Sequence, residues 1–147
     1  MGITDAERVL QIVGDLDRLL IEVRDPALDE AGIGREQWQI LRMLADGEGH
    51  AMGEVSDMFG LPGATATRLV DSLAQRMLVY RRHDELDRRR VLIYLAEPGR
   101  TMLDHVQSSM LGRADALLAG IDPGERAELV RLLGRAVSTS DQPAHQE

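Results

Sequence analysis

The forty residues from Leu61 to Arg100 concentrate the side chains best able to grip phosphate. Eight arginines stand there (Arg68, Arg76, Arg81, Arg82, Arg88, Arg89, Arg90 and Arg100) against five acids (Asp71, Asp84, Glu85, Asp87 and Glu97), a net charge of +3. The other residues hold nine arginines and twenty acids, net −11, which brings the whole chain to −8. A positive island on a negative chain is the electrostatic footprint of a phosphate-backbone binder. The overall pI of about 5.0 conceals it. The chain has no lysine. A GC-rich genome would produce that bias unaided, although the guanidinium fork also suits phosphate and guanine edges.

Other chemistry is thin. Without cysteine there are no disulfides and no thiolate metal sites, which fits a reducing cytoplasm, the expected location. The four histidines (His50, His83, His105 and His145) are scattered with no second ligand read at i, i+4, so no metal is expected. Seven methionines read as adaptable core filling. No nucleophile–base pair, metal cluster or phosphate loop is visible, so neither an enzyme nor a cofactor is expected. No apolar run reaches the roughly 18–20 residues of a membrane span.

The elements that must carry the arginines can be read from caps and periodicity. Thr4-x-x-Glu7 is a capping box that opens a first helix, with Val9, Ile12, Val13, Leu16, Leu19, Leu20 and Val23 at helical spacing. Asp25-Pro26 predicts its end, and 25–34 a loop. A second helix begins near Gly34 with Gln37 reaching back to the cap, and runs to Gly47. Residues 47–51 read as a turn. A short helix covers Met52 to Phe59, Gly60-Leu61-Pro62-Gly63 breaks the chain, and a further helix runs from about Gly63 to Met77. Leu78–Arg82 and Arg90–Leu95 alternate as two strands of a hairpin. A long helix follows from about Arg100 to Leu118. Asp122-Pro123-x-Glu125 opens a last one, with a polar tail from Ser138. Two helices joined by a tight turn and followed by a hairpin make a winged helix-turn-helix.

In this order the segments resemble the MarR (multiple antibiotic resistance regulator) family of transcription factors. G-R-E-Q-W-Q-I-L is similar to the family's second-helix opening, and G-E-V-S-D-M-F-G-L-P-G-A-T-A-T-R-L-V-D-S-L to its helix-turn-helix. L-V-Y-R-R-H-D-E-L-D-R-R-R-V-L-I-Y-L resembles its wing, and E-P-G-R-T-M-L the start of its dimer helix. Pro62, Met77, Leu86 and Ala96 depart from the pattern, which often has serine, glycine, a basic residue and threonine there.

The resemblance implies a mainly α protein with a small β-hairpin wing: a winged helix-turn-helix domain over 25–97 and a helical dimerisation region from 1–24 and 98–147. It implies a regulator, a ligand-responsive repressor, that binds double-stranded DNA as a homodimer on a pseudo-palindromic operator. The alternative is a winged-helix protein-interaction module, or a sensor that has lost DNA binding. Thr65, Thr67 and Arg68 lie near the start of the recognition helix, where free N–H groups favour phosphates and base edges. In the wing, the resemblance makes Arg89 a minor-groove arginine, its guanidinium held by Asp87. Arg88 and Arg90 read as phosphate partners or solvated charges, and Arg81 and Arg82 on the first strand support the wing or touch the DNA backbone. An effector pocket is expected around Leu16, Leu19, Trp38, Met102 and Val106. The acids Asp15, Asp17, Glu22, Asp25, Asp29 and Glu30 read as a solvated face that keeps DNA away from the dimer end.

Overall fold

The computed structural model describes residues 2–140. Ten elements follow in order: α1 (Asp5–Ala31), α2 (Arg35–Met43), a 3-10 turn (Leu44–Asp46), β1 (His50–Ala51), α3 (Met52–Phe59), α4 (Gly63–Gln75), β2 (Val79–His83), β3 (Val91–Leu95), α5 (Glu97–Leu117) and α6 (Pro123–Ser140). The chain divides into two compact units at residues 111/112, within α5. No helix among the described residues is long and apolar enough to cross a membrane.

The first unit is built on α1. Thr4 and Glu7 form the expected box: the Thr4 N–H donates to Glu7 Oε2 at 2.7 Å, and the Glu7 N–H to Thr4 Oγ1 at 3.2 Å. Hydrogen bonds from the Thr4 backbone and hydroxyl hold the Glu7 carboxyl below its ordinary pKa. The expected break at Asp25-Pro26 is absent, and so is the loop over 25–34. The helix runs through Pro26 to Ala31 and ends on Gly32, which takes the left-handed conformation at φ 63°. A proline inside a helix costs roughly 3 kcal/mol. Burial offsets this, because Val23, Ala27 and Leu28 on the flanking turns are all in the core.

That core gathers Ile33, Ile40, Leu41, Leu44, Val55, Val70, Leu73, Ile93 and Val106 around the helix-turn-helix, all buried. Residues 47–51 are not only a turn. His50 and Ala51 form a short strand that pairs antiparallel with β3 (His50 with Ile93, Ala51 with Leu92), so the sheet has the order β1-β3-β2. Two residues give too short a run for period-two alternation to reveal it. Between β2 and β3 the register pairs Val79 with Leu95 and His83 with Val91. Behind the hairpin, Gly99 in the first turn of α5 is buried against the Leu78 backbone. A Cβ there would press on the Leu78 carbonyl oxygen and come within 2.7 Å of Leu95 Cδ1.

In the second unit, Asp122 and Glu125 complete a capping box at 3.0 Å in both directions. Arg126 Nη2 donates to the Leu118 carbonyl at 2.7 Å and closes the turn. Helix α6 continues through Ser138 to Ser140, beyond the point where the polar tail was expected to begin. The rest of that tail, with His145, lies outside the described residues.

Candidate nucleic-acid interface

The turn that aims α4 is fixed by Gly60. At φ 59° it lets its own N–H reach the Asp57 carbonyl at 3.3 Å, while the Leu61 N–H reaches Ser56 O at 3.0 Å. Ser56 Oγ then donates to the Leu61 carbonyl at 2.6 Å. Pro62 caps α4 without a side-chain acceptor, and Ala66, Val70 and Leu73 bury the inner face of the helix. The burial of Ala66 is not legible in the sequence. Position 66 falls four residues before Val70, but alanine alone gives too weak a hydrophobic signal.

The outer face holds Thr67 and Arg68, both exposed, with Asp71 one turn further on; Thr65 is half-buried. Thr67 Oγ1 donates to the Gly63 carbonyl at 2.9 Å, so its proton is spent within the helix and only its lone pairs face outward. The Arg68 side chain has no hydrogen bond or ion pair among the described residues.

The wing tip is ordered by backbone bonds. Asp84 Oδ1 accepts the Leu86 N–H at 3.0 Å, and Asp87 Oδ1 accepts the Arg89 N–H at 3.1 Å. The expected Asp87–Arg89 guanidinium pair is therefore not formed. The carboxylate holds the Arg89 backbone in an Asx turn, two residues on, a geometry open to any aspartate in a loop. His83 Nδ1 lies 3.0 Å from the Arg88 carbonyl and donates to it.

The other wing arginines divide by partner. Arg81 pairs with Asp71, tying β2 to α4. Arg90 Nη2 stands 3.4 Å from Glu54 Oε2, at the start of α3. Arg82, Arg88 and Arg89 are exposed and have no side-chain ion pair among the described residues. The Arg76 guanidinium donates to the Gly32 carbonyl at 2.7 Å and the Ala31 carbonyl at 3.3 Å, closing the C-terminus of α1. Glu54 and Asp71 as arginine partners escaped the sequence reading. The Arg90–Glu54 contact spans 36 residues, and no local spacing announces it.

Of the residues expected to border an effector, Val106 is fully buried. Trp38 and Met102 pack against the core, Leu16 is half-buried, and Leu19 lies on the surface. Clefts of about 440 and 410 Å³ occur among the described residues. One is lined by Ile21, Arg24, Leu28 and Arg35 among others, the other by Arg42, Asp46, His50 and Phe59 among others; none of the five expected residues lines either. In the second cleft His50 does meet a ligand-type residue at i, i+4, its Nε2 lying 2.7 Å from Asp46 Oδ2. Burial works against ionisation of Asp46, but the hydrogen bonds from His50 and the Glu48 N–H outweigh it and leave its pKa lowered. No group of three potential metal ligands occurs among the described residues.

A MarR-family sequence model matches residues 31–90, from the end of α1 through the wing tip. The helix-turn-helix and wing of this chain are similar to those of the MarR family. Over 122 residues the chain is 25% identical to the HTH-type transcriptional repressor YetL of Bacillus subtilis, covering 82% of this chain and 73% of that one. The same fold is seen in RV1404 from Mycobacterium tuberculosis, with a TM-score of 0.79 at 20% identity, spanning 99% of this chain and 100% of the other. A mutant of S. aureus MepR bound to an oligodeoxyribonucleotide aligns with a TM-score of 0.64 at 20% identity, over 95% and 100% of the two chains. The MarR winged-helix architecture, mainly α with a small antiparallel sheet, is thus the fold of this protein.

Proposed function

We propose that the chain is a sequence-specific regulator of transcription that binds double-stranded DNA as a homodimer and represses by occupying a pseudo-palindromic operator. The observation that carries this reading is the set Arg68, Arg82, Arg88 and Arg89. All are exposed, and none has an ion pair among the described residues, in a chain whose net charge is −8. Unpaired guanidinium groups gathered on α4 and the wing give a local positive field that attracts an anionic partner. The oligonucleotide-bound MepR relative of the same fold supports DNA as that partner.

In this reading α4 enters the major groove. Arg68 takes a guanine edge, the Thr65 and Thr67 oxygens accept from bases or bound water, and Arg89 reaches the minor groove from a backbone set by Asp87. Arg88 and Arg90 serve phosphates, and Arg81 steadies the wing through Asp71. Residues 1–24 and 98–147 form the dimerisation region and 25–97 the reading module. Two-fold symmetry then places half-sites about one helical turn apart. A small-molecule effector beside Leu16, Leu19, Trp38 and Met102, with Val106 as the floor, alters the spacing of the two recognition helices and releases the operator. The working place is the cytoplasm.

The test is a mobility-shift titration on the DNA upstream of the chain's own reading frame. Affinity should fall by powers of ten between about 50 and 200 mM salt. Binding that is absent, or indifferent to salt, overturns the proposal and favours a winged-helix module with a protein partner.

A further inference from the structure

Glu54 has two partners through one oxygen. Its Oε2 accepts the Ala51 N–H, capping α3 where β1 ends, and it also faces Arg90 Nη2 at 3.4 Å. The two bonds differ in kind. The cap lies within three residues of its donor and belongs to the fold. The ion pair is long, and its side chains are about half exposed, 49% for Arg90 and 48% for Glu54. Pairs of that length and exposure stabilise weakly and exchange readily for another anion.

The backbone of Arg90 is fixed independently of that pair. Its N–H donates to the Asp87 carbonyl at 2.9 Å, and its own carbonyl accepts the Asp84 N–H at 2.8 Å. The guanidinium can therefore leave Glu54 by side-chain rotation alone, and Glu54 keeps a partner in Ala51 when it does. The exposed arginines Arg88 and Arg89 adjoin it in sequence, so a phosphate backbone lying along the wing comes within reach of Arg90.

Resting on the DNA-binding reading above, we propose that Arg90 is a masked phosphate contact and that Glu54 is the mask: a built-in competitor that lowers operator affinity. Each binding event exchanges the Glu54 carboxylate for a DNA phosphate.

The test uses the full chain and a duplex from its own upstream region, with fluorescence anisotropy at fixed salt. Glu54→Gln keeps an oxygen to accept the Ala51 N–H but loses the charge, and an unchanged far-UV spectrum and melting temperature check the fold. It should bind about two- to fivefold tighter. In an Arg90→Ala background the same change should shift affinity less than twofold. Arg90→Ala alone should reduce the salt slope by about one per subunit. Three results overturn the proposal: weaker or unchanged binding by Glu54→Gln, the same gain in both backgrounds, or a salt slope untouched by Arg90→Ala. If the unaltered chain does not bind, the DNA-binding reading falls and this one with it. If it binds and the two changes are simply additive, only the mask is refuted.

Discussion

Two aspartates shape the wing tip before any partner arrives. With Asp84 bonded to the Leu86 N–H and Asp87 to the Arg89 N–H, the backbone is set while the Arg89 guanidinium stays free. Fixing the backbone reduces the conformational cost of presenting that cation. Arg89→Ala should therefore weaken operator binding by roughly 1–3 kcal/mol without changing the subunit stoichiometry. Anisotropy titration with a parallel mass measurement checks this, and wild-type affinity would remove the wing from the mechanism. Arg68→Ala should instead relax the preference at one operator position, seen by selection from a randomised duplex. A different demand falls on Met77, which closes α4 at φ 59° among the described residues, where non-glycine side chains crowd the backbone. The position is one where the MarR pattern often has glycine. Met77→Gly should raise stability by about 1 kcal/mol, read as a higher urea midpoint with an unchanged slope; a lower midpoint would show that the exposed methionine contributes packing.

Between elements, α5 comes close enough to Leu78, just before β2, to leave no room for a side chain at position 99. Gly99→Ala would drive a methyl group into the Leu78 carbonyl and the Leu95 side chain. A loss of roughly 1–3 kcal/mol is expected, measured by thermal or urea unfolding; a neutral result would mean that α5 can slide. This contact also marks how far the sequence could be read. The short helix from Met52 to Phe59 matches in full and the last helix to within a few residues, because glycine, proline or a capping box bounds them; the hairpin strands agree as closely because their residues alternate with period two. Proline misled at position 26, where core burial of Ala27 and Leu28 outweighed a local breaker. The third strand was invisible because two residues carry no period. Within the site, exposure of the arginines on α4 and the wing was legible from their spacing. Their partners were not, since Asp71 meets Arg81 and Glu54 meets Arg90 only once the sheet is assembled.

At the scale of the molecule, each unit leaves apolar surface in water. On α1, Val9, Leu10, Ile12 and Val13 are 57%, 72%, 58% and 48% exposed; on α6, Val130 and Val137 are 72% and 65% exposed. Contiguous apolar faces of this kind mark association surfaces. A second copy that covers them gives a particle of twice 16.3 kDa. Light scattering at micromolar concentration should find it, and Leu10→Asp should shift the mass toward one subunit and abolish operator binding together. A stable monomer in the unaltered chain would refute the assembly. The uninterrupted α1 has a mechanical consequence. At 27 residues it is a lever about 40 Å long, with one end sunk in the buried core around the helix-turn-helix and the other carrying the bare apolar stripe. A tilt of about five degrees at the anchored end swings the far tip by roughly 3.5 Å. Pro26, which cannot donate to the Glu22 carbonyl, places the softest joint of that lever next to its fulcrum.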